Sequence, residues 1–144
     1  MASLAYQRTK AWLEKLGWHT WRWEIWNQWS NTRSDGYGLI DITAIRHDFK
    51  GVWGINACED NGAVQEHVKK YLNGYDDQKK GRIPPNPHLP VWLAGSNRFS
   101  IAGWGKRSQD GRGSRKVWTL RLVEFFLVGA EVQWKEATPD PIEL

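Results

Sequence analysis

The sequence predicts a single α/β domain in which helices flank a mixed central β-sheet. Three observations predict it. The hydrophobic spacing switches between helical and strand periods in the order helix, three strands, helix, then two or three strands. The chain has 144 residues, enough to bury one core without cross-links. Its composition, 40% hydrophobic and 25% charged, is that of a globular domain.

The first helix is expected over residues 3–16, SLAYQRTKAWLEKL, with Ser3 as its cap, Leu4, Ala11, Trp12 and Leu16 at near-helical spacing, and Gly17 as its end. A strand follows over 18–26, with Trp21, Trp23 and Ile25 on one face and Arg22, Glu24 and Trp26 on the other. After a polar loop, residues 39–46 form the clearest strand: Ile40, Ile42 and Ala44 are expected on one face, Leu39, Asp41, Thr43 and Ile45 on the other. A turn at 47–51 returns the chain into 52–58, giving a hairpin. Asp60 or Asn61 is expected to cap a second helix over 63–73, with Val64, Val68, Tyr71 and Leu72 inward. Residues 76–88 read as a proline-broken basic connector. Strands at 91–95 and 98–104, a Gly- and Arg-rich loop and a strand at 117–126 complete the domain, taken as 1–135. Residues 136–144 form an acidic, Pro-containing tail.

Lys and Arg number 20 against 16 Asp and Glu. Setting aside Glu136, Asp140 and Glu143 of the tail, 13 acids face the 20 bases, a net of +7 on residues 1–135. Such a body suits an anionic partner. Lys106, Arg107, Arg112, Arg115 and Lys116, with Arg98 nearby, have only Asp110 to offset them, a density that binds phosphates without reading sequence. Eleven tryptophans are several times the usual share. Most of Trp18, Trp21, Trp23, Trp26 and Trp29 are expected in the core, with Trp29, in a polar loop, a candidate for stacking on a base. No apolar run reaches the ~20 residues of a membrane span. A lone cysteine, Cys58, excludes an internal disulfide and multi-cysteine zinc. With no apolar leader in MASLAYQRTK, the expected setting is the reducing cytoplasm, away from membranes.

Asp41 is the first candidate for chemistry, because it interrupts an apolar strand and places a carboxylate near a half-buried face. Asn56 and Cys58, two apart on the returning strand, share a face and can converge with Asp41 across the hairpin. Carboxylates on adjacent strands with a lysine two residues on can hold magnesium and stabilise phosphate charge. Here an amide and a thiol stand at the latter two positions. No Cys-His-acid set has a spacing that would make Cys58 a nucleophile.

The helix ending in LGW, the segment RSDGYGLIDITAIR, the strand GINAC and the helix EHVKKYL, together with the later GWGKR, resemble the PD-(D/E)xK nuclease-like superfamily. The likeness is to small phage and bacterial members with D-x-x-G-x-x-D-x-x-A-I followed by I-Q-x-C or I-Q-x-T, and it spans roughly residues 4–72. That superfamily includes Holliday-junction resolvases and restriction-type endonucleases. The resemblance implies a restriction-endonuclease-like sandwich and a metal-dependent DNA endonuclease, acting on double-stranded, branched or phage DNA with Mg²⁺ or Mn²⁺. It implies Asp41 as the metal-binding acid, Asn56 at the second acid and Cys58 at the lysine, and puts Gln7 where related resolvases carry glutamate. Glu24, Asp35 or Glu59 would then supply the missing carboxylates, and Lys70, or Lys69 after it, the missing cation. It is compatible with a homodimer, since resolvases of this kind cut two symmetric strands, and with host cytoplasm for a phage-encoded chain. Two rivals stand beside it: a nucleic-acid-binding module on the same scaffold that has lost catalysis, and a protein-binding scaffold with a Trp-rich face.

Overall fold

A computed structural model describes residues 3–29, 32–108 and 116–137. Helix α1 (Leu4–Lys15) starts where the Ser3 side chain accepts the Tyr6 N–H at 3.1 Å. It ends ahead of Gly17, whose φ of 89° suits a residue without Cβ. Strand β1 (His19–Arg22) follows, then β2 (Ile25–Asn27) and β3 (Thr32–Ser34), which pair only with each other. The main sheet continues with β4 (Ile42–Ile45) and β5 (Trp53–Glu59), an antiparallel hairpin as expected. Helix α2 (Ala63–Asn73), the short hairpin β6 (Tyr75–Asp77) and β7 (Gly81–Ile83), and α3 (His88–Ala94) then carry the chain to β8 (Arg98–Ser108). Strands β9 (Lys116–Val128) and β10 (Glu131–Glu136) close the fold. The six-stranded sheet has the order β1-β4-β5-β8-β9-β10 and is antiparallel except at β5–β8. The parallel step is the one that needs a crossover, and α2 and α3 supply it. The α/β class and the mixed sheet are therefore as predicted.

The sheet divides the core in two. On one face α1 buries Tyr6, Trp12 and Leu13 against Ile42, Ala44, Trp53, Ile55, Trp104 and Leu122. On the other, α2 and α3 bury Val64, Val68, Tyr71 and Leu89 against Phe99, Ile101, Val123 and Phe125. Gly103 lets α2 approach β8: a Cβ there would lie 2.4 Å from a Val64 methyl.

Several local expectations are corrected. Residues 91–95 are not a strand but the body of α3. The Asn86 side chain accepts the His88 and Leu89 N–H groups at 2.8 and 3.2 Å, and Pro90 lies within the first turn, where no intrahelical donor is lost. The connector at 76–88 contains the β6–β7 hairpin. Neither Asp60 nor Asn61 caps α2; Gly62 does, because Asp60 pairs with Arg121 at 3.7 Å and Asn61 donates to Glu59 at 3.3 Å. The long strands run through what reads as loop, from Gly105 to Ser108 and from Lys116 onward. Glu136 belongs to β10 rather than a tail, held by Arg121 at 2.5 Å. Asp140 and Glu143 lie outside the described residues. Among the described residues no helix is long and apolar enough to cross a membrane.

The strand expected over 18–26 is broken after Arg22, and of its described tryptophan side chains two of three are outside the core; the Trp26 side chain lies outside the described residues. Trp18 is buried, but Trp21, Trp23 and Trp29 are exposed. The reason is positional. Strand β1 is the sheet edge, while α2 and α3 pack over β5, β8, β9 and β10, so among the described residues no helix packs over the β1–β4 end of that face. Trp23 is nonetheless fixed there, its indole N–H donating to Thr43 Oγ1 at 3.0 Å.

Candidate functional site

Asp41 occupies a break in the sheet. Ile40 should share a face with Ile42 and Ala44 if the strand ran straight, yet Ile40 packs in the α2 core and the other two in the α1 core. The cause is the turn before it. Gly36 and Ile40 exchange backbone hydrogen bonds at 2.8 and 2.9 Å, Tyr37 and Gly38 have positive φ, and regular pairing begins only at Ile42. Gly54 leaves the room Ile40 fills, since a Cβ there would lie 2.8 Å from Ile40 Cδ1.

At this break side chains replace the missing ladder bonds. Asp41 Oδ2 accepts the Ala57 N–H at 2.9 Å, and Asn56 Nδ2 donates to the Leu39 carbonyl at 3.2 Å. The Asp41 carbonyl also accepts the N–H groups of Trp23 and Glu24, at 2.8 and 3.1 Å, tying the end of β1 to the same point. Asp41 and Asn56 are each 7% exposed. With Asn56 Nδ2 committed to Leu39, the buried Asn56 Oδ1 has no hydrogen-bond partner among the described residues. An acceptor left so costs about 1–3 kcal/mol, which a donor or cation arriving there would recover.

Alternation along β5 puts Asn56 and Cys58 on the α2 face, and Cys58 packs against that core. Asp41 acts on the same side. Burial pushes the Tyr71 hydroxyl far above its ordinary value, and the charges of Asp41, Asp35 and Cys58 push it further in the same direction. Above Tyr71, His67 stacks on its ring at 5.7 Å and is held below the usual histidine range by burial and by Lys70. The Asp41 carboxylate thus bonds the residue between Asn56 and Cys58 and acts electrostatically on Cys58 and Tyr71, with Asp35 of the preceding loop within reach of the same tyrosine.

Other candidates are not brought in. Glu59, one residue past Cys58, falls on the α1 side by the same alternation and is exposed, so it does not complete this group. Glu24 is buried, but its charge is felt by Tyr6 of α1, a residue of the opposite core. Gln7 is exposed on α1, across the sheet from Asn56. Lys69 and Lys70 are exposed on α2, and the Lys70 ammonium lies 5.0 Å from the Tyr75 ring. Among the described residues no group of three or more His, Cys, Asp or Glu side chains is arranged to hold a metal ion. Asn56, the donor left unsatisfied, belongs to none of those types.

Of the basic positions, Lys106 and Lys116 face the α1 side at the far end of β8 and β9, Arg107 lies on β8, and Arg112 and Arg115 are outside the described residues. Trp29 is 91% exposed, as a stacking residue would be. Two features escaped the sequence reading. Tyr71 reads only as core, because its inward helical position says nothing of the acids it meets. The Asp60–Arg121–Glu136 chain joins residues whose contact depends on the unforeseen β10.

Cys58 is no nucleophile. Burial, then the charges of Asp60 and Asp41, push its thiol up to about 12. At pH 8 the thiol is therefore almost wholly protonated. Alkylation by iodoacetamide at pH 8 is expected to be slow in the folded protein and fast once urea unfolds it. Equal rates would contradict the assignment. Because the folded value lies above the unfolded one, folding is favoured while the thiol stays protonated in both states. That contribution declines as pH rises through about 8.5 toward 12.

No protein-family model matches this chain, and neither curated proteins nor solved structures contain a significant match to it.

Proposed function

We propose that this chain is a divalent-cation-dependent nuclease on a restriction-endonuclease-like scaffold, hydrolysing phosphodiester bonds of DNA. The observation that carries the reading is the orphaned Asn56 Oδ1, buried on the sheet face where the Asp41 carboxylate acts. A carboxylate and an unsatisfied amide oxygen are both hard donors, and they fit Mg²⁺ or Mn²⁺ far better than the softer metals that cysteine attracts. Asp41 and Asn56 would hold the ion, with Asp35, whose charge reaches Tyr71, a source of a second carboxylate. A cation bound there would lower the pKa of its water and offset charge on the phosphate. Cys58, half-buried on the same face, keeps its thiol protonated near neutral pH.

One observation favours the rival, a nucleic-acid-binding module without catalysis. The position two past Asn56 carries no cation, and Lys69 and Lys70 turn outward instead. The two readings part on a single experiment, incubation of supercoiled and four-way-junction DNA with Mg²⁺, Mn²⁺ or EDTA. Nicking with either metal and none in EDTA is the expected result; binding without nicking establishes the rival. Asn56→Asp adds a charged oxygen at the orphaned position and is expected to raise Mn²⁺ affinity by about tenfold, measured by calorimetry. Unchanged affinity would remove Asn56 from the site.

A further inference from the structure

We infer that Arg8, Trp118, Lys106 and Lys116 form a grip for the phosphodiester backbone of nucleic acid, on the α1 face of the sheet and away from Asp41. The inference names a second contact surface for the partner proposed above and rests on that partner being nucleic acid. In the β8–β9 ladder Lys106 lies opposite Trp118, and Lys116, two residues earlier on β9, projects to the same face. The Arg8 guanidinium from α1 sits 3.6 Å from the Trp118 ring centroid, and the Lys106 ammonium 5.3 Å from it. The ring is 39% exposed, so the cluster is open to solvent.

Charge bookkeeping separates this cluster from the paired arginines of the central strands. Elsewhere on the sheet Arg98 pairs with Glu124, and Arg121 with Asp60 and Glu136. Among the described residues neither Arg8, Lys106 nor Lys116 meets a carboxylate within ion-pair distance. Two cations gathered at one ring repel each other, and cation–π attraction offsets only part of that. An anion seated between them removes the repulsion. Contact with the ring also restrains the guanidinium before any ligand arrives, so less side-chain freedom is lost when it meets a phosphate. Three cations, Lys106 and Lys116 on adjacent strands and Arg8 on the helix beside them, suit a polymer of regularly spaced phosphates better than a single small anion.

The test is anisotropy of fluorescein-labelled 20-nucleotide single-stranded and duplex DNA, in EDTA and across a salt series, so that cleavage plays no part. Wild type is expected to bind both. Arg8→Gln should weaken binding about five- to tenfold at 0.1 M salt and lower the slope of log K against log salt by about one, as loss of one phosphate contact requires. Arg8→Lys should keep the slope while recovering only part of the affinity. Trp118→Leu, which changes no charge, should weaken binding through Arg8, and adding it to Arg8→Gln should cost little more. If Trp118→Leu fails to fold, the two Arg8 variants decide. Unchanged affinity and slope in Arg8→Gln would overturn the grip, as would a wild type that binds neither DNA, whatever its affinity for anionic lipid vesicles. Salt-sensitive binding that depends on Arg8, with no nicking in any metal, would support the grip and refute the nuclease reading alone.

Discussion

Asp41→Asn is expected to reduce metal-dependent nicking by about 10²–10³-fold while leaving stability within about 1 kcal/mol of wild type. The substitution separates two jobs that one side chain performs. Asp41 Oδ2 accepts the Ala57 N–H at 2.9 Å, a bond that an amide oxygen can also accept. What the amide lacks is the negative charge that would hold a divalent cation. Asp41→Ala removes both: it should abolish nicking to the same degree and also cost about 1–3 kcal/mol, because the Ala57 N–H loses its acceptor in a part-buried place. Nicking rates and urea midpoints of the three proteins decide the matter. If Asp41→Asn cuts like wild type, Asp41 is a structural carboxylate that replaces a ladder hydrogen bond, and the catalytic reading falls with it.

How far the site was legible follows from the kind of signal each residue leaves. Ser3 and Gly17 obey local rules and hold, but the apolar spacing picks the wrong face of α1: Leu4, Ala11 and Leu16 are exposed, and Ala5, Tyr6 and Leu13 join Trp12 in the core. Asn56 and Cys58 sharing a face follows from the period of a strand, and the same period places Glu59 on the other side. Asp41's neighbourhood is less local. It depends on a turn at 36–40 that shifts the alternation of Ile40, and no count of hydrophobic residues reveals such a shift. The orphaned Asn56 Oδ1 is further still from the sequence, since it exists only because Nδ2 is spent on the Leu39 carbonyl. The β1 tryptophans miscarry for a comparable reason. Alternation fixes which side of a strand a residue faces, but burial depends on whether a helix covers that part of the sheet, and among the described residues none covers the β1–β4 end of the α2 face. In α3 the apolar run VWLA fits either period, and the Asn86 acceptor with an early proline decides for helix.

That contrast among tryptophans makes the second large prediction. Trp53→Ala is expected to cost about 3–5 kcal/mol of folding stability, whereas Trp21→Ala should change it by about 0.5 kcal/mol or less. Both are strand tryptophans facing a side of the same sheet, so intrinsic propensity does not separate them. Packing does. Trp53 is 2% exposed and meets Trp12 and Trp18 edge to face, with ring centroids 5.8 and 5.0 Å away. Its indole N–H donates to Ser100 Oγ at 3.0 Å, and the Arg98 guanidinium, held by Glu124, lies 3.8 Å from its ring. Truncation therefore opens a cavity between α1 and the sheet, takes a partner from a fully buried hydroxyl and leaves a cation without its ring. Trp53→Phe keeps most of the volume but not the donor, and should fall between, at about 1–3 kcal/mol. Trp21 is 70% exposed at the sheet edge, so its removal uncovers little that water does not already reach. Domains of this size have about 5–15 kcal/mol in reserve, so Trp53→Ala should unfold at markedly lower urea than wild type, and in a single cooperative transition. Comparable losses at the two positions would mean that the uncovered end of the sheet is covered in solution, and Trp21 would then be a contact residue rather than a solvated one.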